Sequence, residues 1–421
     1  MGQILTKSPM VLNLDNDPNS KAKHSRCLYA FGCNSENQCG SNQGYIFREK
    51  IVLQASAGSS HNLVILKGGQ LAAWGSNQYG QAGTQGLGWV ESWIYNPPSI
   101  FPVIFERQFS KVQVTQISAG HWHSTCISDI GLLFTWGLGT SGQLGYPPVG
   151  DDFMKVERGK ERYVLYPKLV ESLGSIPMSH VACGGTFTVA VSQMGQVYTF
   201  GRWRYGVLGN GEQENRAEPK IVESLASVRV EKVACGLNHV LALTGSGKVY
   251  QWGNQSTNDD IADIEIPELL TNIDGATHIS CGEHHSAVLC SHNQNNLYTW
   301  GLNNYGQLGH ETSTRFSAVP DKVEIASKIS TIGCGGFFTV ALLKSGDLLG
   351  WGNNKYGQLR INQFECSKPT LILKGSLQKV SDVVCGHGHI LVLYRKDVDF
   401  EAEQSLARSA RQEDYSSANF I

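Results

Sequence analysis

Histidine is the residue type whose spacing first suggests chemistry. His61, His123, His239, His285 and His389 each stand three residues after a glycine: Gly58, Gly120, Gly236, Gly282 and Gly386. Imidazoles ligate metals and move protons near neutral pH, so this set must be weighed as a metal centre. A metal needs ligands that converge, whereas residues recurring once per repeat occupy equivalent, separated places. Two further glycines, Gly184 and Gly335, are followed by Phe187 and Phe338, so the slot also takes an apolar ring. His121-Trp122-His123 and His284-His285, read as strand residues, send successive side chains to opposite faces, which argues against chelation. The five histidines are therefore expected to be structural, with neither metal nor cofactor. No Ser-His-Asp order, carboxylate pair or phosphate-cradling loop stands out, and Gly-x-Gly strings such as Gly137-Leu138-Gly139 do not open helices. The chain does not read as an enzyme.

The elements behind these histidines form a repeat. Trp300-Gly301 runs on to Tyr305-Gly306-Gln307-Leu308-Gly309, and copies start at Trp74, Trp136, Phe200 and Trp351. Phe31-Gly32 and Trp252-Gly253 begin degraded copies. Seventeen residues separate Gly58 from Gly75, Gly120 from Gly137, Gly184 from Gly201, Gly236 from Gly253 and Gly335 from Gly352. Between them stands a turn glycine, as at Gly69 and Gly131, flanked by apolar runs such as Leu63-Val64-Ile65-Leu66. Strand, glycine turn, strand is a hairpin, and its recurrence at fixed period defines a repeat architecture. The glycine after each Trp suits close backbone approach. Gly306 suits a left-handed turn that returns Leu308 to the core. Trp74, Trp136, Trp252, Trp300 and Trp351 are read as core residues.

The repeat predicts one domain over 27–395, although 421 residues would by themselves suggest two or three. Tyr29-Ala30-Phe31-Gly32 supplies an outer strand without its hairpin partner, and the C-terminal unit has inner strands without an aromatic-Gly pair. Joining them completes a seventh unit and removes an open sheet edge. The expected fold is all-β, a seven-bladed propeller of four-stranded blades. A net charge of −2 gives no general pull toward nucleic acid. The 11 cysteines include Cys183, Cys235, Cys281, Cys334 and Cys385, each before a repeat glycine and one repeat apart, which disfavours disulfides and fits a reducing, cytoplasmic setting. Residues 1–26 and 396–421 read as polar tails. Met1-Gly2-Gln3-Ile4-Leu5-Thr6 satisfies the myristoylation pattern with Gly2 as acceptor, so weak membrane association through an acyl chain is an expectation.

The pairing of small-Gly-x-x-His with Trp-Gly-x-Asn-x-x-Gly-Gln-Leu-Gly resembles the regulator of chromosome condensation family of seven-bladed propellers, over nearly the whole chain outside its tails. In that family's founding member one face drives nucleotide exchange on the Ran GTPase and the other binds nucleosomes. The resemblance thus implies a protein partner, with a small GTPase among the expectations. Two departures count against Ran-type exchange. No unit carries the family's wedge hairpin after its Trp-Gly pair, and Trp122 stands where the founding member has an acidic residue. The ultraviolet photoreceptor branch clusters Trp between Arg residues, and here Arg202-Trp203-Arg204 is the trace of that pattern.

Two neighbouring connections are the longest, Thr84 to Ser110 and Tyr146 to Tyr166. Insertions on one face of a repeat protein often bind. Trp89, Trp93 and Tyr95 on one, with Lys155, Arg158, Lys160 and Arg162 on the other, are of types that dominate interface hot spots. The expected function is a protein-interaction propeller regulating a small GTPase or a trafficking or cytoskeletal complex. A guanine-nucleotide exchange factor is the alternative, and a chromatin binder using Lys155 to Arg162 the third.

Overall fold

The computed structural model describes residues 25–35, 38–39, 45–47, 51–84, 101–105, 109, 111–147, 154–155, 162–256, 262–291, 295–310, 314–375 and 380–396. Seven antiparallel sheets form the blades of a propeller. Blade 1 runs from its inner strand Val52–Ala57 through His61–Leu66 and Gln70–Gly75 to an outer strand Phe101–Pro102. Blades 2 to 6 repeat this order from inner strands Val114–Ala119, Met178–Cys183, Val230–Cys235, His278–Cys281 and Ile329–Cys334. Blade 7 takes Val380–Cys385 and His389–Lys396 from one end of the chain, Ser25–Gly32 and Tyr45–Phe47 from the other. That junction pairs Ser25 with Lys396 through to Gly32 with His389. Its strand packs both ways. Leu28 and Ala30 meet Val64 and Trp74 of blade 1, while Phe31 meets Phe338 and Leu342 of blade 6.

The second strand of each of the first six blades is buried along its whole length, as in His61–Leu66 and Phe338–Leu343. Each such strand lies between two neighbouring sheets, which is why apolar runs and not strict alternation mark it in the sequence. The turn residues behave as their types require. Gly306 adopts φ +77° and Leu308 is fully buried. A Cβ on Gly301 would lie 2.5 Å from the His284 carbonyl oxygen.

Two features go beyond the expected pattern. Blade 2 has a fifth strand, Met154–Lys155, hydrogen-bonded to Arg162–Leu169. Blades 1 to 6 each carry a proline on the outer strand: Pro102, Pro167, Pro219, Pro267, Pro320 and Pro369. In blades 2 to 6 the strand register shifts across that proline. A missing N–H and a bulge make a poor template for another strand, so the outer edges of blades 3 to 6 are protected from edge-to-edge pairing.

Candidate functional site: the axial mouth

The Gly-x-x-His turns join the first and second strands of each blade, and the Trp-Gly pairs end the third strand at the same level, since His61 pairs with Gly75 and His285 with Gly301. Both motifs therefore lie on one face. The fourth-position imidazole folds back over its own glycine: a Cβ on Gly282 would sit 2.2 Å from His285 Cε1. That contact, as much as the turn, demands glycine there.

Each of these rings reaches into the next blade. His61 Nε2 lies 2.8 Å from Ser124 Oγ, His123 Nε2 2.9 Å from Thr188 Oγ1, and His285 Nε2 2.9 Å from Thr339 Oγ1. These hydroxyls donate onward to the Gln81, Gln143 and Gln307 carbonyls, so they accept from the ring and fix the proton on Nε2. His389 Nε2 donates to Asn62 Oδ1, and His239 Nε2 lies 3.0 Å from Ser286 Oγ. The Gln307 and Gln81 carbonyls also accept from Trp351 Nε1 and Trp136 Nε1. Where the ring is Phe187 or Phe338, the facing residue in the next blade is Val240 or Ile390. Blade 4 lost the Gly-Gln-Leu-Gly segment, and its side chains substitute. Gln251 Oε1 accepts from Trp300 Nε1, and Gln255 Nε2 donates to Ser286. Burial pushes all five imidazoles down to about 3, and each buried Nδ1 has no partner among the described residues. Protonation there would place a charge and an unanswered N–H in the core.

The position after each repeat glycine points to a different outcome. Ser59, His121, Leu237, Glu283, Gly336 and His387 line the mouth of an axial funnel of about 420 Å³, open solvent included, and Gly185 bonds its N–H to the Leu237 carbonyl beside them. Blade-to-blade backbone bonds belt this mouth, among them Glu283 N–H to the Gly336 carbonyl at 3.1 Å and Gly336 N–H to the His387 carbonyl at 3.0 Å. Across it, Glu283 Oε1 accepts from His387 Nδ1 at 2.5 Å and lies 3.2 Å from His121 Nε2. The three residues come from blades 5, 7 and 2. Gly336 clears the route, because a Cβ there would lie 2.7 Å from His387 Nδ1. Burial works to raise the Glu283 carboxyl, but the hydrogen bonds and charge of His121 and His387 outweigh it and hold it well below the carboxylate range. The bond to Glu283, opposed by burial, raises His387. Deeper in the funnel the thiols of Cys183, Cys235, Cys281, Cys334 and Cys385 are all pushed up by burial. Protonated thiols are poor nucleophiles, so this ring is packing and not reactive chemistry.

Aromatic side chains extend the line of contacts on both sides of the triad. Trp122, 40% exposed, meets His121 and Tyr79 edge-on at ring centroid distances of 5.4 and 6.5 Å. On the far side Phe337 touches His387 at 5.9 Å, Tyr305 at 5.6 Å and His284 at 6.1 Å. The result is a continuous run of ring contacts through the triad, from Tyr79 to Tyr305, that includes one carboxylate.

Of the residues expected from sequence to meet a partner, Lys155 lies on the added strand of blade 2, and Arg162 opens that blade's outer strand on the same face as the mouth, its carbonyl bonded to Gly139 N–H. Trp89, Trp93, Tyr95, Arg158, Lys160 and Gly2 lie outside the described residues. Trp203 is half-buried against the blade 3–4 core, and the Arg204 guanidinium stands 5.1 Å from the Tyr205 ring. The reading of His121, Trp122 and His284 as strand residues is corrected: they sit in the bends before the strands His123–Ser128 and His285–Cys290. Freed from strand alternation, His121 turns to the axis. Sequence reasoning missed Glu283 and His387 because their slot is variable from unit to unit. A unit-by-unit comparison of that slot would have shown three titratable residues.

The repeat model described as "Regulator of chromosome condensation (RCC1) repeat" matches residues 68–127, 131–191, 194–243, 294–342 and 345–393. The chain belongs to the RCC1 repeat family. Among curated relatives of this RCC1-repeat protein, the ultraviolet-B receptor UVR8 of Arabidopsis thaliana is 31% identical over 82% of this chain and 75% of its own. The mouse secretion-regulating guanine nucleotide exchange factor is 29% identical over 77% of this chain and 72% of its own. The human E3 ubiquitin-protein ligase HERC2 is 29% identical over 88% of this chain, which spans 8% of the ligase. Among solved structures, human WBSCR16 superposes with a TM-score of 0.73 at 22% identity, covering 88% of this chain and 99% of its own. Yeast Prp20p, a protein studied for its binding to Gsp1p and histones, gives 0.72 at 19% identity over 92% and 95%. These two likenesses bear on the fold alone.

Proposed function

We propose that this RCC1-repeat propeller is a protein-interaction module regulating a small GTPase or a trafficking or cytoskeletal complex, and that it meets its partner on the face of the axial mouth. The observation that carries this reading is the chain of ring contacts. Trp122 and Tyr305 are 40% and 38% exposed and belong to a run of rings around a partly buried carboxylate, and aromatic anchors around a partly desolvated charge are the usual centre of an interface. Trp89, Trp93, Tyr95, Arg158 and Lys160, on the two longest connections, are proposed to widen the contact. The test is capture of partners by the intact protein and by a Trp122→Ala/Tyr305→Ala variant. Loss of partners at unchanged thermal stability supports the reading; an unchanged partner set in the folded variant refutes it.

The likeness to the mouse secretion-regulating exchange factor favours a second reading, nucleotide exchange on a small GTPase. Release of labelled GDP from a panel of GTPases measures it. Ran is expected to show no catalysed release, since Trp122 offers an indole where an acid is needed.

A further inference from the structure

Resting on the reading that this face meets a protein, we propose that the axial mouth recognises an arginine side chain presented by the partner, with Glu283 as its counter-ion and the flanking aromatic rings as its walls. Glu283 presents its two oxygens differently. Oε1 is held by both imidazoles, whereas Oε2 accepts no hydrogen bond among the described residues and is not sealed from solvent. An acceptor fixed through one oxygen and open at the other is organised in advance for an incoming donor. Among the described residues no lysine or arginine lines the funnel. The groups that face Glu283 are His121 and His387, which bond it, and His284, which burial keeps below its ordinary value. The thiols beneath are held protonated by burial. The carboxylate's charge is therefore answered by its two imidazoles, and a guanidinium could take over that role.

Arginine fits better than lysine because its planar, weakly hydrated cation stacks on rings while donating to a carboxylate. Trp122 and Phe337 stand on opposite sides of the triad, in contact with His121 and His387 respectively. The strands that bear the chain's own ends pair Ser25 with Lys396, at the far end from the Gly32–His389 pair that marks this face.

The test uses the full chain with its histidines isotopically labelled, followed by NMR. N-acetyl-arginine amide is titrated in, with N-acetyl-citrulline amide as the uncharged isostere. Arginine amide is expected to shift the His121 and His387 resonances and to lower the His387 titration midpoint by about one unit, because a second cation now competes for Glu283. Citrulline amide should do neither, and Glu283→Gln should abolish the response. Equal responses to the two amides, no response to arginine, or a response that survives in Glu283→Gln would overturn the proposal. The arginine–citrulline comparison uses the unmutated protein, so it stands even if the variant fails to fold. An arginine-blind mouth in a protein whose partners are lost in Trp122→Ala/Tyr305→Ala would sink this inference and leave the interaction face standing. An arginine response beside an unchanged partner set would support the mouth's chemistry and remove the face as the general docking surface.

Discussion

The interblade histidines should make the fold acid-labile, and one pair can be rewritten to test it. His285 donates from Nε2 to Thr339, whose hydroxyl donates to the Gln307 carbonyl, which Trp351 also serves. The Phe187–Val240 pair occupies the equivalent place between blades 3 and 4. His285→Phe with Thr339→Val copies that pair, leaving the Gln307 carbonyl bonded to Trp351. The sign of the pH effect follows from the lowered native values. An imidazole held at about 3 in the fold and near 6.5 when unfolded stabilises fully above 6.5, and that stability is lost as pH falls toward 3. At about pH 5.5 each such histidine has destabilised the fold by about 1.4 kcal/mol, and five by about 7 kcal/mol. A domain holds about 5–15 kcal/mol in all, so acid unfolding should set in around there. His387 acts in the opposite sense: its raised value adds stability below 6.5 that is lost as pH rises, but it is common to both proteins and cancels. Urea melts between about pH 7 and 5.5, where carboxylates stay ionised, read the slope of stability against pH. The double variant should lose the part of the slope that one such histidine contributes and stay close to the parent at neutral pH. Thr339→Val alone strands a buried N–H and should cost about 1–3 kcal/mol. An unchanged pH slope, or a double variant as unstable as the two single variants added together, would refute the pairing.

Deleting residues 1–34 removes the strand that closes blade 7 and should lower the melting temperature sharply, whereas deleting 1–20 should not; equal melting of both with the full chain argues against closure by that strand. Trp351→Ala empties a fully buried site and should cost about 3–5 kcal/mol by chemical denaturation, while Trp122→Ala, on the surface, should stay within about 0.5 kcal/mol of the parent. Gly2 is expected to carry a myristoyl chain, giving reversible membrane binding near 10⁴ M⁻¹ that Gly2→Ala abolishes; an intact mass showing a free or acetylated N-terminus would end that proposal.

What the sequence displays is what the units share. The Trp-Gly pairs, the turn glycines and the returning Leu308 depend on local geometry repeated in each unit, so the period alone placed them, and the split count at Phe31 and Cys385 foretold the closed ring. The outer-strand prolines were equally visible, though a reading fixed on glycine and aromatic residues passes over them. The fifth strand of blade 2 was not legible, because two residues, Met154 and Lys155, carry no periodic signal. The His–hydroxyl pairing joins residues 54 positions apart in the case of His285 and Thr339. It shows in the sequence once the unit after each His is compared with the unit after each Phe: Ser124, Thr188, Ser286, Thr339 and Asn62 are polar, Val240 and Ile390 are not. The axial triad needed the ring itself. His121, Glu283 and His387 occupy a slot that is also Ser, Gly and Leu in other units, and they meet only because blades 2, 5 and 7 look across one axis. Gly336 makes the point physically: in sequence it is another turn glycine, while in space its missing side chain lets Glu283 reach His387 over blade 6. The repeat sets the scaffold through positions that do not vary, and leaves a variable position of the same turn to decide what the mouth can bind.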